Sequence, residues 1–230
     1  MALEYPHFLI NFKIYEGTAG DTGLELARTI ESIQTQTGAS FAVAPQTPDL
    51  VRVARETSLS VVAQSVDTPH PGRGNGQISL PTVAKAGADG VILNHPESQD
   101  TLASIDDIVT HCADYTLESI VCVDSVEMGR SVLAFDPDCL LFEQPTDIAT
   151  ERSIARSNPE HVETFVAMVN DLNPRTRILL GGGISTATDV EQALALGADA
   201  AGAASAFVDA TDRRRWLSDI ASALLDRQTD

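Results

Sequence analysis

The sequence contains very few basic residues. Lysine and arginine together number 15 against 33 aspartates and glutamates, which gives a formal net charge of −18, and the only lysines are Lys13 and Lys85. Because nucleic acids and anionic membrane surfaces are bound through basic patches, we expect neither as a partner. Self-repulsion of this size destabilises a folded chain unless salt screens it. The composition favours a salt-loving host, and an acidic mesophilic protein is the alternative.

Cysteine and long apolar runs are also scarce. The three cysteines, Cys112, Cys122 and Cys139, show no clustered spacing, so we interpret them as reduced core residues of a cytoplasmic protein. The longest apolar runs are only strand-sized, and residues 1–5 lack the pattern of a signal peptide. No nucleotide-binding fingerprint is present, and the five histidines lack metal-ligand spacing, so we expect neither a cofactor nor a metal.

Short apolar and β-branched runs alternate with helical patterns along the whole chain. Eight β-then-α units without linker composition between them predict one α/β domain over residues 1–230, a closed (β/α)8 barrel of parallel strands. The last run, Ala200–Ala204, is the least strand-like of the eight because it is nearly all alanine, a residue depleted in strands. The predicted strands are Phe8–Phe12, Phe41–Ala44, Ser60–Gln64, Gly90–Asn94, Ser119–Val123, Cys139–Phe142, Arg177–Leu180 and Ala200–Ala204.

Polar residues at the carboxyl ends of barrel strands indicate function. The first predicted strand ends near Asn11 and Lys13, and the sixth is followed by Glu143. Gln64 ends the third predicted strand, and Asn94 ends the fourth with His95 directly after it. Lys13 is a candidate because the chain has almost no other lysine, and burial at a strand end would raise the pKa of Glu143 toward that of a general base. The alternative for Lys13 is a surface lysine, that for His95 is a structural histidine, and that for Glu143 is an exposed carboxylate that opens a loop.

A glycine run follows the seventh predicted strand. Gly181, Gly182 and Gly183 precede Ser185 and Thr186. Backbone N–H groups can approach an anion closely where no Cβ intrudes, and phosphate sites in such barrels commonly use this loop. We therefore expect a phosphate cradle that includes Ser185, although glycine here can also serve only a turn, and the hydroxyl residues can serve only as a helix cap.

Taken together, the strand-end segments resemble those of archaeal triosephosphate isomerases, whose fold is the TIM barrel. The resemblance covers nearly the whole chain, and its specificity lies in the order and placement of the segments. The matching segments are Asn11-Phe12-Lys13, Val43-Ala44-Pro45-Gln46, Ala86-Gly87-Ala88-Asp89-Gly90, Asn94-His95-Pro96-Glu97, Phe142-Glu143-Gln144-Pro145 and Gly181-Gly182-Gly183-Ile184-Ser185-Thr186.

The resemblance implies an isomerase that interconverts dihydroxyacetone phosphate and glyceraldehyde 3-phosphate without a cofactor. It implies that Asn11 and Lys13 bind the substrate, that His95 is a neutral electrophile and that Glu143 is the proton-shuttling base. It also implies a homodimer or homotetramer that forms through the loop after the third strand.

The phosphate-binding segments depart from the family pattern. Ala149 and Glu151 replace two glycines of the loop after the sixth strand, and Ser205 is followed by Ala206 where the family has glycine. We place Ala149 and Ser205 among the phosphate-binding positions. These departures leave two alternatives open, an isomerase of a different small sugar phosphate and a non-catalytic barrel that binds a sugar phosphate.

Overall fold

The computed structural model describes residues 3–68, 72–144 and 153–226, and it shows a closed barrel of eight parallel strands. Each strand pairs with the next along the chain, and the eighth pairs with the first. The predicted fold is therefore confirmed. The strands are β1 (His7–Asn11), β2 (Ser40–Ala44), β3 (Ser60–Ala63), β4 (Gly90–Leu93), β5 (Glu118–Val123), β6 (Cys139–Phe142), β7 (Arg177–Leu180) and β8 (Ala200–Ala203).

Helices separate the strands and cover the outside of the barrel. None of those in the described ranges is long and apolar enough to cross a membrane. They are α1 (Gly20–Thr37), α2 (Leu50–Glu56), α3 (Leu80–Ala86), α4 (Leu102–Cys112), α5 (Val126–Val132), α6 (Ile154–Ser157), α7 (Pro159–Leu172), α8 (Ala187–Ala195), α9 (Ser205–Val208) and α10 (Arg213–Asp226). Short 3₁₀ helices lie at Thr47–Asp49, Ala113–Tyr115 and Leu133–Phe135.

Two separate apolar clusters explain why the strands are apolar on both faces. Alternate strand residues such as Leu9, Val62 and Ile120 point into the barrel and form a small inner core. The residues between them, such as Phe8 and Val61, pack against the helices and form the larger outer core. Because side chains alternate between the faces of a strand, burial of both faces leaves a nearly continuous apolar run.

The alanine-rich β8 lies very close to β1 at Gly202. A Cβ added at Gly202 would lie 2.9 Å from the carbonyl oxygen of Leu9, so only a small residue fits there.

Several strand ends differ by one residue from the prediction. Strands β3, β4 and β8 each end one residue earlier than predicted, and β1 runs from His7 to Asn11. Lys13 and Asn94 then adopt left-handed backbone angles, with φ of 40° and 56°, which turn the chain out of the sheet.

The amino-terminal end of the barrel is closed by the segment that precedes β1. The backbone N–H of Leu3 and the hydroxyl of Tyr5 both donate to the carboxylate of Glu118. His7 lies beside them in the barrel interior at 2% exposure, and its burial lowers its pKa to about 4. Catalytic groups of such barrels lie at the opposite end, so we assign this cluster to stability.

Candidate active site

A cleft of about 580 Å³, including its open mouth, lies at the carboxyl ends of the strands. It brings together groups from both halves of the chain. Eight of the predicted site residues line it: Asn11, Lys13, His95, Glu143, Gly181, Gly182, Gly183 and Ser205. In the described ranges, no group of three histidine, cysteine or carboxylate side chains is arranged to hold a metal ion.

Lys13 is held in a left-handed conformation by side chains at the ends of β1 and β3. Its backbone N–H donates to Asn11 Oδ1 over 2.9 Å, and its carbonyl accepts from Gln64 Nε2 over 3.2 Å. The ammonium group donates to Glu97 Oε1 over 2.9 Å, and the Lys13 side chain is only 12% exposed. Because both the backbone and the side chain are fixed, the cation is oriented before any ligand binds.

His95 is oriented as a hydrogen-bond donor toward the cleft. The backbone N–H of Glu97 donates to Nδ1 over 3.1 Å, which leaves the proton of the neutral ring on Nε2. Nε2 lies 3.3 Å from Glu143 Oε1. Burial, and then the nearby charge of Lys13, lowers the pKa of His95, so the neutral ring is favoured near pH 7.

The end of β4 aims His95 through a local pair of hydrogen bonds. The backbone N–H of Asn94 donates to Asp100 Oδ2 over 2.6 Å, and the backbone N–H of Asp100 donates to Asn94 Oδ1 over 3.1 Å. The Asn94 amide also donates to the carbonyl of Cys122 on β5. These bonds stabilise the left-handed turn at Asn94, which directs the next residue into the cleft.

Glu143 is a buried carboxylate with properties suited to a base. Its residue exposure is 7%, and burial raises its pKa to about 7 although the charge of Lys13 opposes that rise. Oε1 faces His95 without a well-aligned hydrogen bond. A carboxyl group that titrates near pH 7 can both accept and return a proton there.

The glycine run makes room for this base. A Cβ added at Gly181 would lie 2.6 Å from Glu143 Oε2 and 2.9 Å from Leu141 Cδ1. Gly182 and Gly183 both have φ of 69°, in the left-handed region that other residues resist. Glycine is therefore required at position 181 because any side chain would collide with the Glu143 carboxylate. This reason is additional to the phosphate cradle that the sequence suggested.

One predicted phosphate-binding residue, Ser185, stands apart from the cleft lining. Ser185 does not line the cleft, because its backbone N–H and its hydroxyl donate to Asp189 Oδ2 over 3.0 and 3.3 Å. The helix cap that the sequence offered as an alternative is present, with Thr186 as the N-cap of α8. Ala149 lies outside the described residues.

Two further residues of the site, Glu97 and Tyr15, are absent from the predicted set, whereas Gln64 is among the predicted strand-end candidates. Glu97 pairs with Lys13 across 84 positions, Gln64 holds the Lys13 carbonyl, and Tyr15 lines the cleft. Gln64 ends a predicted strand, which is a signal that the sequence offers. Nothing in the spacing identifies Glu97 as the partner of Lys13, because the contact depends on how the first and fourth strand ends lie around the barrel.

The chain matches a known protein family over most of its length. The family model described as triosephosphate isomerase matches residues 6–224. The chain belongs to the triosephosphate isomerase family. It is 34% identical over 219 residues to the triosephosphate isomerase of Methanobrevibacter smithii, covering 95% of this chain and 99% of the relative. It is 35% identical over 224 residues to that of Methanopyrus kandleri, covering 96% and 99%.

A solved structure of the family confirms the fold at lower sequence similarity. The crystal structure of triosephosphate isomerase from Bartonella henselae superposes with a TM-score of 0.74 at 17% identity, and the match covers 95% of this chain and 98% of that one. At this identity the likeness concerns the fold alone. The resemblance to the triosephosphate isomerase family that the strand-end segments suggested is confirmed by the family match.

Proposed function

We propose that the protein interconverts dihydroxyacetone phosphate and glyceraldehyde 3-phosphate. The observation that carries this proposal is the meeting, in one cleft, of a buried carboxylate with a pKa near 7, a neutral imidazole donor and a fixed ammonium group. Such a set serves proton transfer beside a carbonyl, and the named activity of the curated relatives supports the same reaction. The reaction transfers only a proton within the substrate, so it requires no cofactor.

In the proposed mechanism, Glu143 removes a proton from C-1 of dihydroxyacetone phosphate and an enediolate forms. His95 Nε2–H donates a hydrogen bond to the developing oxygen anions, and Lys13 stabilises the same negative charge. The hydroxyl proton passes from O-1 to O-2 within the bound enediolate. Glu143 then returns a proton to C-2 while the carbonyl forms at C-1, which gives glyceraldehyde 3-phosphate. Burial of Glu143 matters because a carboxylate with a pKa near 7 is a stronger base than an exposed one and is still ionised in half the molecules at that pH.

We assign the phosphate group to the wall formed by Gly182, Gly183 and Ser205. These residues line the same cleft as Lys13, and the glycines leave the backbone open to an anion. Ala149 remains a proposed contact, and Ser185 is assigned instead to the support of this wall. Asn11, which fixes the backbone of Lys13, is assigned to substrate binding with it.

The activity is tested with purified protein in molar potassium chloride. We expect isomerisation of dihydroxyacetone phosphate, with a lower kcat/KM for larger ketose phosphates. A higher kcat/KM for a larger substrate would favour the alternative isomerase. Binding of these compounds without turnover of any of them would favour the non-catalytic barrel.

We propose that the protein assembles as a homodimer or homotetramer through the edge of the site. Ile14 is 86% exposed although its neighbours Lys13 and Tyr15 both line the cleft. An exposed large apolar side chain beside a functional cleft fits a surface that a second copy covers. The loop that contains Asn75 would then lie near the neighbouring subunit's cleft. Light scattering should show an oligomer that Ile14→Asp dissociates, and a monomeric wild type with full activity would contradict the assembly.

The proposed setting is the cytoplasm of a salt-loving organism, where the reaction would serve glycolysis and gluconeogenesis. The net charge of −18 and the scarcity of lysine support the salt requirement. The three cysteines are free and buried, which is compatible with a reducing compartment.

A further inference from the structure

Asp189 has more partners than the cap of a helix requires. Its carboxylate is fully buried in the first turn of α8. Oδ2 accepts from the backbone N–H groups of Ser185 and Thr186 over 3.0 and 2.9 Å, and from the Thr186 hydroxyl over 2.8 Å. One neutral oxygen is enough for these capping bonds. The helix dipole also favours a carboxylate in this first turn, but these capping bonds all go to Oδ2 and leave the buried Oδ1 to another group.

The second oxygen of Asp189 reaches a different element. Arg156 Nε lies 2.5 Å from Asp189 Oδ1, and the two groups form an ion pair in which Arg156 is 43% exposed. Arg156 belongs to α6, whose Ile154 and Ala155 are buried against the barrel. A buried carboxylate is tolerated when a cation pairs with it, and this pair joins α6 to the turn before α8.

The turn that Asp189 holds is continuous with the wall of the cleft. Gly181–Ile184 line the cleft, and Ser185 follows them directly. On its other side, the carbonyl of Ser185 accepts a hydrogen bond of 2.7 Å from Trp216 Nε1 on α10. Asp189 and Trp216 thus hold opposite edges of one peptide segment that supports the proposed phosphate wall.

We propose that Asp189 is a positioning residue that, through its ion pair with Arg156, fixes the cleft-lining segment Gly181–Ile184, which supplies Gly182 and Gly183 to the proposed phosphate wall. The proposal rests on the proposed function for the identity of the ligand. It states that α6, Asp189 and the wall act as a unit, so that loss of either charge loosens the wall. Ligands bound through a phosphate group should then bind more weakly, whereas proton transfer by Glu143 should change less.

The test compares Asp189→Asn, which keeps the capping oxygen, with Arg156→Met, which removes the cation. We expect each variant to raise the Kd of inorganic phosphate and the KM of dihydroxyacetone phosphate by about tenfold, with kcat within about threefold of the wild type. The double variant should raise this Kd and this KM no further than either single variant does, because both substitutions remove the same Asp189–Arg156 ion pair. Arg156→Lys should restore part of the affinity.

A simple charge effect predicts a different pattern. Removal of the Asp189 charge alone would tighten binding of an anion and removal of the Arg156 charge would weaken it, and molar salt would suppress both effects. Opposite signs for the two variants would therefore overturn the proposal. So would lowered thermal stability with an unchanged Kd for phosphate, which would leave Asp189 with a structural role only.

Trp216 supplies a second readout that does not need turnover. It is the only tryptophan in the chain, so its indole N–H gives a single NMR signal that reports on Ser185. We expect Arg156→Met and Asp189→Asn to move this signal in the absence of ligand and to reduce its response to phosphate, and an unmoved signal would count against the proposal. Arg175→Met, which removes the exposed pair of Arg175 with Asp136, is the matched control and should leave both signal and Kd unchanged.

The two proposals fail in distinguishable ways. A wild type that binds phosphate but does not isomerise dihydroxyacetone phosphate would defeat the proposed function. The phosphate Kd and the Trp216 signal would still decide whether Asp189 positions the wall.

Discussion

Substitution of Gly181 by alanine is predicted to impair the base while it leaves the fold intact. Gly181 follows β7 beside Glu143, because the register of Phe142 with Leu180 sets the next residue of each strand side by side. The added Cβ would lie 2.6 Å from Glu143 Oε2, and ordinary contact begins near 3.4 Å. The carboxylate must therefore retreat by about 0.8 Å. Gly181 does not have a positive φ, so the backbone itself accepts alanine.

The displacement of the base sets the expected loss of activity. A shift of about 1 Å in a catalytic group can cost roughly a hundredfold in rate, so we expect kcat of Gly181→Ala to fall by about 30- to 100-fold. Overpacking should reduce the free energy of unfolding by about 1–3 kcal/mol. The assays are steady-state kinetics on dihydroxyacetone phosphate and denaturant unfolding, both in molar salt.

Gly129→Ala provides the matched control for this substitution. A Cβ at Gly129 would lie 2.7 Å from Phe165 Cε2 and 3.1 Å from Met168 Cε, which is a comparable intrusion at the interface of α5 and α7. We expect a similar loss of stability with kcat unchanged. Equal losses of kcat in the two variants, or a Gly181→Ala enzyme within twofold of the wild-type kcat, would refute the reasoning.

Four further predictions follow from the same structure. Because burial raises the pKa of Glu143 to about 7, kcat/KM of the wild type should fall tenfold per pH unit below pH 7, and an acid limb near pH 4.5 would contradict this. The fold favours the protonated form of Glu143, so the free energy of unfolding of the wild type should decrease as pH rises from about 4.5 through 7. Glu143→Gln should lack this decrease, and above pH 7 denaturant unfolding should show it to be more stable than the wild type by up to about 3 kcal/mol. The Tm should rise steeply from dilute buffer to molar salt because the charge of −18 is then screened, and a flat Tm would remove the salt-loving interpretation. Tyr5→Phe should lower the free energy of unfolding by about 1–2 kcal/mol, since Glu118 loses one of two donors, with kcat unchanged; a loss of kcat would contradict the assignment of this cluster to stability alone.

The fold was predictable because its determinants are local. Each strand is a short apolar run bounded by turn residues. Gly87 and Gly197 end the preceding helices in the left-handed conformation that glycine favours, with φ of 98° and 100°. Polar residues at the strand ends meet because parallel strands deliver their carboxyl ends to the same side of the barrel. That rule placed Asn11, Lys13, His95 and Glu143 in one cleft.

The contacts within the site were less predictable because they depend on neighbours that are distant in the chain. The pairing of Lys13 with Glu97 requires the first and fourth strand ends to face each other across the cleft. The steric need for glycine at 181 appears only when β6 and β7 are in register. Ser185 differs, since the spacing Thr186-x-x-Asp189 is a readable capping pattern, and it competes with the interpretation of Ser185 as a phosphate ligand.

The most direct test of the proposed proton transfer by Glu143 is isomerisation of dihydroxyacetone phosphate in deuterium oxide. Proton transfer through an enediolate predicts that deuterium enters C-2 of glyceraldehyde 3-phosphate, because the proton on Glu143 exchanges with solvent while the intermediate is bound. Glu143→Gln should reduce the rate of this incorporation by at least about a hundredfold, the usual scale for loss of a general base, while phosphate still binds. Incorporation at the wild-type rate in Glu143→Gln would contradict the assignment of Glu143 as the base, and product without deuterium would contradict exchange of the Glu143 proton with solvent.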